Sequence, residues 1–339
     1  MTFNPVFTPP SIRALKNTMS GIQQAVIVVH KSPDGDAVGS AVGMRELLKS
    51  ISIDSEIVVP DAFPDFLNWL PEIEQVINAE KQAEKAQEAI VKAPLLMVLD
   101  FNAPHRAGEL AEAIKAAEGE IVMIDHHQMP EQFADYTFCD VQACSTAQLV
   151  FEFAEAMGIN KLSYAAMQGI YLGMMTDTGS FRFSSVQPKT HRIIAHLIEQ
   201  GLNHEEIHRF VYDNNSLNRL QLKGFACAER LEVLPELAVG IMYLTSTDLA
   251  KFNAKKGDTE GLVNMVLSIQ GVEVAFFLRE HEDGIRMSMR SVGDFSVNEL
   301  SRKHFNGGGH TNAAGGFSSK SMAETINQIK QVMKVERGL

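Results

Sequence analysis

The stretch Ile121-Val-Met-Ile-Asp125-His126-His127 decides the fold expected for this chain. Its first four residues are apolar, as in a short strand that is buried on both faces of a sheet. An acid and two histidines follow where such a strand would leave its sheet. Because ligands bind outside the carboxyl ends of strands in open α/β sheets, the stretch predicts a functional edge. Adjacent histidines can also be structural, so the interpretation depends on what the other strands carry.

Two further apolar stretches end in the same way. Ala25-Val-Ile-Val-Val-His30 is rich in β-branched residues and leads into the turn-rich loop 31–36, which carries Asp34 and Asp36. The apolar stretch 95–99 is followed by Asp100, and a helix predicted over 162–175 runs into a turn that holds Asp177. Strands that alternate with helical patterns predict an α/β fold, with a mainly parallel sheet and helices on both faces.

The pattern changes after Pro188. Residues 189–232 have a mostly helical pattern, and short alternating strands follow at 239–244, 272–279 and 284–291 before a last helix at 321–335. This order predicts a second, smaller α+β domain. We expect a first domain at 1–188, a helical linker at 189–232 and a second domain at 233–339, because 339 residues exceed what one core usually supports.

The composition indicates a soluble, cytoplasmic globular protein. Hydrophobic residues make up 45% and charged residues 21% of the chain, and we find neither a signal peptide nor an apolar run long enough to span a membrane. Three cysteines are too few for a disulfide framework and lack zinc-type spacing. The net charge of −12 argues against binding of long duplex nucleic acid, but it allows a small anion held by a local basic pocket or by metal ions.

The acids and histidines at strand and helix ends form a set with one chemistry. Each has a structural alternative when taken singly, such as a helix cap for Asp36 or a turn for Asp34. Carboxylates and imidazoles without thiolates suit Mn²⁺, Mg²⁺ or Co²⁺. Four aspartates and two histidines suit two ions about 3.5–4 Å apart with a bridging carboxylate, as in phosphatases and nucleases. The predicted metal-binding residues are His30, Asp34, Asp36, Asp100, His126 and Asp177.

The second region predicts an anion site. Arg286, Ser288 and Arg290 alternate with apolar residues, so on a strand they share one face, and guanidinium groups match phosphate oxygens. The glycine-rich stretch from Gly307 to Gly316 allows the backbone to approach a ligand closely, although a flexible linker is the alternative. Together with His310, these features predict a substrate cradle. Residues 286–310 include four basic and two acidic residues, so this segment is basic although the chain as a whole is acidic.

These motifs together resemble the DHH phosphoesterase superfamily, and Gly307-Gly308-Gly309-His310 resembles its DHHA1-type C-terminal domain. Within the superfamily, the chain is most similar to the bifunctional oligoribonucleases (nano-RNases) that are also pAp phosphatases. The resemblance implies Mn²⁺-dependent hydrolysis of short RNA oligonucleotides to mononucleotides, and of pAp to AMP as a 3'(2'),5'-bisphosphate nucleotidase. It also implies an active site in a cleft between the two domains, which would leave little room for a long strand.

The resemblance also implies roles for individual residues. One Mn²⁺ would be held by His30, Asp34 and Asp100. The other would be held by Asp36, Asp100, His126 and Asp177, so that Asp100 bridges. His127 would contact the scissile phosphate or protonate the leaving group, and Asp125 would orient a histidine ring. The terminal phosphate and nucleotide of the substrate would be bound by Arg286, Ser288, Arg290, Gly307, Gly308, Gly309 and His310.

Several alternatives stay open. Linear or cyclic dinucleotides, such as pApA or c-di-AMP, would use the same metals and the same cradle. A family II pyrophosphatase would carry a basic motif where this chain has Gly307–His310, and a RecJ-type exonuclease would have additional domains. A nucleotide-binding regulatory protein with an idle metal site would not need all six ligands. The residues leave open the polarity of degradation and the oligomeric state, with a homodimer as one alternative.

Overall fold

The computed structural model describes residues 6–338, and the chain divides into two compact units. The first unit ends at Asn214 and the second begins at Asn215. Each unit has its own six-stranded sheet and its own hydrophobic core. The division falls inside the helical segment predicted at 189–232.

The sheet of the first unit is parallel throughout, as the sequence predicts. Its three central strands are almost entirely apolar because both faces are covered. The spatial order is β3-β2-β1-β4-β5-β6. The strands are β1 (Gln24–Val28), β2 (Asp54–Val59), β3 (Ile77–Asn78), β4 (Leu95–Leu99), β5 (Glu120–Asp125) and β6 (Tyr136–Cys139).

Helices cover both faces of this sheet. The helices are α1 (Pro9–Met19), α2 (Gly35–Ser50), α3 (Ala83–Lys92), α4 (Ala111–Lys115), α5 (Thr146–Met157), α6 (Tyr164–Asp177), α7 (Pro188–Glu199) and α8 (His204–Tyr212). One core joins α2, α5 and α6 to alternate residues of the strands, and a second core joins α3 and α4 to the other face. α4 follows a 3₁₀ segment at Pro104–Leu110, in which Gly108 has a non-helical backbone with φ 58°.

Small residues bring α2 and α6 into backbone contact. A Cβ atom built on Gly39 would lie 2.5 Å from the carbonyl oxygen of Gly169, and one on Gly169 would lie 2.5 Å from the carbonyl oxygen of Gly39. No real side chain tolerates such a distance, so the helices can pack this closely only because both positions are glycine. The contact brings together the two helices that carry Asp36 and Asp177.

The second unit is α+β, with a sheet of order β11-β12-β10-β9-β8-β7 in which only β8 and β9 are parallel. Its strands are β7 (Leu231–Leu234), β8 (Val239–Leu244), β9 (Val274–His281), β10 (Gly284–Ser291), β11 (Gly308–His310) and β12 (Ala313–Ser318). Its helices are α9 (Leu217–Glu229), α10 (Ser246–Lys251), α11 (Leu262–Leu267), α12 (Val297–His304) and α13 (Met322–Glu336). Within residues 6–338, no helix is long and apolar enough to cross a membrane.

The glycine-rich stretch is a β-hairpin and not the loop expected from its composition. β11 and β12 pair with each other, and β12 also pairs with β10 along six residues. Glycine has low intrinsic strand propensity, but the backbone hydrogen bonds of β10 hold the hairpin in the sheet. The glycines therefore lie in fixed positions on the surface of a sheet.

We predict that Gly39→Ala destabilises the first unit by about 1–3 kcal/mol, because the added methyl group would collide with the backbone of α6. Urea denaturation followed by circular dichroism measures the change. Gly224→Ala on α9 is the matched control, since a Cβ there meets nothing within 4 Å and should increase stability by about 0.5–1 kcal/mol. A Gly39→Ala variant as stable as the native protein would contradict the packing described here.

Candidate metal centre and substrate cradle

The loop after β1 and the first turn of α2 carry three of the predicted ligands. His30 is buried; a backbone carbonyl lies 2.9 Å from its Nδ1, and its Nε2 lies 3.3 Å from Oδ2 of Asp100. Asp34 is the N-cap of α2, and its side chain accepts hydrogen bonds from the N–H groups of Asp36 and Ala37 at 3.0 and 3.1 Å. The cap fixes the start of the helix, so the positions of Asp34 and Asp36 are set together.

Asp36 lies in the first turn of α2 and is only 2% exposed. Two backbone N–H groups at the start of α5 donate to it, from Thr146 to Oδ2 at 2.7 Å and from Ala147 to Oδ1 at 2.9 Å. The hydroxyl of Ser40 donates at 3.3 Å. The positive end of the α5 dipole therefore faces this buried carboxylate.

Asp100 follows β4 with a left-handed backbone, φ 66°, a conformation that aspartate adopts more readily than most residues. Its Oδ2 faces His30, while its Oδ1 accepts a hydrogen bond from the Thr146 hydroxyl at 2.8 Å and lies 3.6 Å from Nε2 of His126. The two oxygens of one carboxylate thus face different neighbours, which is the geometry that a bridging ligand needs.

Asp125, His126 and His127 lie at the end of β5. Asp125 is fully buried and accepts two hydrogen bonds from His127, from its backbone N–H at 3.1 Å and from its Nδ1 at 2.7 Å. His126 turns the other way, with its Nε2 3.8 Å from Oδ2 of Asp36 and 3.7 Å from Oδ2 of Asp177. The two adjacent histidines therefore have different environments.

The possible ligand atoms form clusters around Asp100, and within each cluster they lie within 4.8 Å of one another. These clusters are His30, Asp34 and Asp100; Asp36, Asp100 and His126; and Asp100, Asp125 and His127. Asp177, at the end of α6, reaches the second cluster through His126. The structure thus brings all eight predicted residues of the first unit to the carboxyl edge of its sheet.

Burial and mutual repulsion shift the pKa values of the acids. Burial, with the charges of Asp100 and Asp177, raises the pKa of Asp36 well above its usual range. Burial also raises the pKa of Asp177 to about 6, against the opposing charge of His126. For Asp100 burial acts in the same direction, but the hydrogen bond of His30 and the histidine charges outweigh it, so the pKa of Asp100 is lowered.

The pKa values of two histidines are raised by the neighbouring acids. Burial alone would lower the pKa of His30, but the hydrogen bond and charge of Asp100 raise it to about 9. The pKa of His126 is raised against its burial by the charges of Asp177 and Asp100. Crowded carboxylates like these favour a divalent cation, because its charge offsets their repulsion more strongly than a proton does. The oxygen and nitrogen donors suit Mn²⁺, Mg²⁺ or Co²⁺.

Two residues of this site were not predicted from the sequence. Thr146 donates its N–H to Asp36 and its hydroxyl to Asp100, so one residue orients two predicted ligands. Asp61 is buried after β2 and accepts hydrogen bonds from the N–H and hydroxyl of Ser32 at 2.5 and 3.3 Å, which hold the loop that carries Asp34. Asp61 could have been predicted because it is an acid that soon follows an apolar strand. Thr146 could have been predicted because it belongs to a Ser-Thr pair at the start of a helix.

The predicted cradle lies on one face of the second sheet, along β10, β12 and β11. Arg286, Ser288 and Arg290 alternate with buried residues of β10. The strand register places Gly315 opposite Ser288, and Gly308 opposite Gly315. Residues that pair directly point to the same face, so Gly308 shares the face of Ser288.

Two other predicted cradle residues differ in orientation. His310 pairs with Ala313, which pairs with Arg290, so His310 lies on the same face as the arginines. Gly309 differs from the expectation, because its N–H donates to Oδ1 of Asn298 at 2.9 Å. Gly309 therefore supports the hairpin through Asn298.

Comparison with known proteins assigns both units to described domains. The sequence model of the DHH family, N-terminal domain, matches residues 24–174, and that of the DHHA1 domain matches 237–335. The crystal structure of an exopolyphosphatase-related protein from Bacteroides fragilis is 37% identical in sequence, with a TM-score of 0.91 and 96% of both chains covered. The chain belongs to the DHH phosphoesterase family. The DHH match includes every predicted ligand except Asp177, which lies three residues beyond it.

The curated relatives include oligoribonucleases and cyclic-di-AMP phosphodiesterases. The bifunctional oligoribonuclease and PAP phosphatase NrnA of Thermus thermophilus is 28% identical over 85% of this chain and 82% of its own length. The cyclic-di-AMP phosphodiesterase GdpP of Geobacillus thermodenitrificans is 27% identical over 94% of this chain, but over only 48% of its own length. This DHH chain is therefore similar to enzymes named for two different nucleotide substrates.

We predict that Thr146→Val lowers the affinity for Mn²⁺ about 10- to 100-fold, because Asp100 loses the hydroxyl that orients it. Isothermal titration with Mn²⁺ measures the affinity, and circular dichroism checks the fold. Thr146→Ser is the control, since it keeps the hydroxyl and should bind Mn²⁺ almost as tightly as the native protein. Equal affinity in the valine variant would show that the hydroxyl has no such role.

Proposed function

We propose that this protein uses two divalent ions, preferably Mn²⁺, to hydrolyse short oligoribonucleotides to mononucleotides and to dephosphorylate pAp to AMP. Membership of the DHH phosphoesterase family supports the reaction class. The similarity to NrnA-named relatives over most of both chains supports the substrates. The cytoplasm is the proposed location; all three cysteines are free, as a reducing compartment would keep them.

The observation that carries this proposal is the position of Asp100 between two ligand clusters. His30, Asp34 and Asp100 would hold one ion, and Asp100 would bridge to the other. The second ion would be held by Asp36, Asp100, His126 and Asp177. Such a pair, when bound, lowers the pKa of an attacking water and neutralises charge on the phosphoryl group.

His127 is the proposed catalytic residue that contacts the phosphate. Asp125 holds its Nδ1 at 2.7 Å and its backbone N–H at 3.1 Å, so the ring orientation is fixed. With Nδ1 engaged in this way, Nε2 is the nitrogen that would contact the scissile phosphate or donate a proton to the leaving oxygen. The negative charge of Asp125 stabilises the protonated ring that such a transfer requires.

The face of the second sheet is the proposed binding surface for the terminal phosphate of the substrate. Arg286, Arg290 and His310 supply positive or proton-donating groups on one face, and Ser288 lies between the arginines. Gly307 and Gly308 line the same surface, but the missing side chain of Gly307 makes room for the backbone of Gly315 and the hydroxyl of Ser301. Gly309 supports this surface through its bond to Asn298.

A second candidate function is hydrolysis of linear or cyclic dinucleotides. The similarity to GdpP-named phosphodiesterases over 94% of this chain favours it. These substrates also present phosphodiester bonds to the same metal centre. Relative rates on a set of substrates therefore distinguish the two candidates.

We expect rapid Mn²⁺-dependent conversion of an RNA dinucleotide to mononucleotides, and of pAp to AMP, with chelator abolishing both reactions. A labelled dinucleotide, a 24-mer RNA, pAp, c-di-AMP and pyrophosphate would be compared under identical conditions. Preference for c-di-AMP over the RNA dinucleotide would establish the second candidate. Full activity with excess chelator would refute the metal-dependent mechanism.

We predict that Asp125→Asn lowers kcat at least about 10-fold, because the amide cannot stabilise a protonated His127 as the carboxylate does. Steady-state kinetics on the RNA dinucleotide measures kcat, and Mn²⁺ titration establishes whether ion binding is retained. The control is Asp54→Asn, an exposed position at the opposite end of the strands, which should leave kcat unchanged. An unchanged kcat in Asp125→Asn would contradict the role given to His127.

A further inference from the structure

Arg106 lies in the 3₁₀ segment Pro104–Leu110, which follows β4, and the roles given above do not include it. Its N–H donates to the carbonyl oxygen of Ala103 at 3.0 Å, and its own carbonyl oxygen accepts from the N–H of Lys31 at 2.8 Å. Lys31 directly follows the predicted ligand His30. The backbone of Arg106 is therefore held beside the first ligand cluster.

The loop that carries Arg106 is also bound to the segment after His127. The side-chain amide of Asn102 donates to the carbonyl oxygen of Gln128 at 2.6 Å. The carbonyl oxygen of Asn102 accepts from the N–H of Glu131 at 2.8 Å. Hydrogen bonds on both sides thus hold the loop at the carboxyl edge of the sheet, between the segments that follow β1 and β5.

The guanidinium group of Arg106 has no partner among residues 6–338. The side chain is half-buried, and within this described range it forms neither a hydrogen bond nor an ion pair. Its charge nevertheless acts on the buried ring of His30. Burial and the charge of Arg106 both act to lower the pKa of His30, and Asp100 outweighs them. An unpaired cation therefore lies close to a cluster of acids.

A structural role does not account for this arginine. Arg45 is a structural arginine of the same unit, and its guanidinium donates to the carbonyl oxygens of Pro71 and Glu72 at 2.6 and 3.2 Å. Arg106 makes no such bonds within the described residues. Support of the metal centre is not a reason for it either, because a cation beside the ligands opposes the binding of metal ions. Its N–H donors suit an anion that binds next to those ions, and guanidinium groups match phosphate oxygens.

We propose that Arg106 binds a non-bridging oxygen of the scissile phosphate and stabilises its charge in the transition state. In hydrolysis the water oxygen bonds to phosphorus, and the bond from phosphorus to the leaving oxygen breaks. The hydroxyl of the water stays on phosphorus, and its other proton goes in net to the leaving oxygen. Arg106 stays protonated throughout, so it acts through charge and hydrogen bonds alone. This role rests on the proposed function.

The kinetic test removes the charge and then restores it. Arg106→Gln should lower kcat for the RNA dinucleotide about 100-fold, with a smaller change in KM, because a donor to the transition state is lost. Arg106→Lys keeps the charge and should be at least about tenfold faster than the glutamine variant. Lys49→Gln is the control, since it removes a positive charge from the last turn of α2, whose first turn holds Asp36. An unchanged kcat in Arg106→Gln would overturn the proposal.

Titration with Mn²⁺ distinguishes a phosphate contact from a role in arranging the ligands. In Arg106→Gln the affinity for Mn²⁺ should stay the same or rise, because a cation near the ligands is removed. Circular dichroism checks the fold of both Arg106 variants. A loss of Mn²⁺ affinity that parallels the loss of kcat would show that Arg106 only maintains the metal centre, and would refute the contact.

A binding measurement separates this inference from the proposed function. Inorganic phosphate, titrated into the Mn²⁺-loaded proteins, should bind about 10- to 100-fold more weakly to Arg106→Gln than to the native protein. Lys49→Gln should bind it as the native protein does. This result would support the contact even if the protein hydrolysed none of the nucleotides tested. Equal affinities of the native protein and Arg106→Gln would refute it, whatever the enzymatic activity.

Discussion

The buried carboxylate of Asp100 connects the chemistry of the first unit to its fold. Its two oxygens are approached by histidines from the strands on either side of β4, His30 after β1 and His126 after β5, and by the hydroxyl of Thr146 at the start of α5. An isolated charge in this position would be very costly, so the carboxylate depends on these partners. The order β1-β4-β5 in the sheet makes them neighbours. A change in strand order would separate the groups on which the site depends.

Helices supply the remaining acids of the site. Asp36 and Asp177 belong to α2 and α6, and they approach the strand ends because the two helices touch through glycine backbones. The N-terminus of α5 then offers its N–H groups to Asp36. Burial, together with the charges of neighbouring acids, raises the pKa values of Asp36 and Asp177. The packing of three helices therefore holds together charges that would otherwise separate.

Much of this arrangement could be predicted from the sequence, because parallel strands deliver the residues that follow them to one edge. The parallel sheet, the second α+β unit and the clustering of eight acids and histidines were predicted on that basis. Thr146 was missed because Ser145 already accounts for the cap of α5, and the long-range bonds of Thr146 to Asp36 and Asp100 leave no local pattern. The hairpin at 308–318 was missed because its pairing with β10 depends on tertiary hydrogen bonds. Gly309 was likewise predicted to face a ligand, but its N–H donates to Asn298.

Gly39 and Gly315 have different surroundings. Gly39 faces the backbone of a neighbouring helix, so any replacement at this position is opposed by the requirement to fold. Gly315 faces open space, and the folded chain would accommodate a side chain there. Selection for folding alone would therefore retain the first and let the second drift. A side chain at Gly315 would change the shape of this surface while leaving the architecture of the second unit intact, so the surface can change without loss of stability.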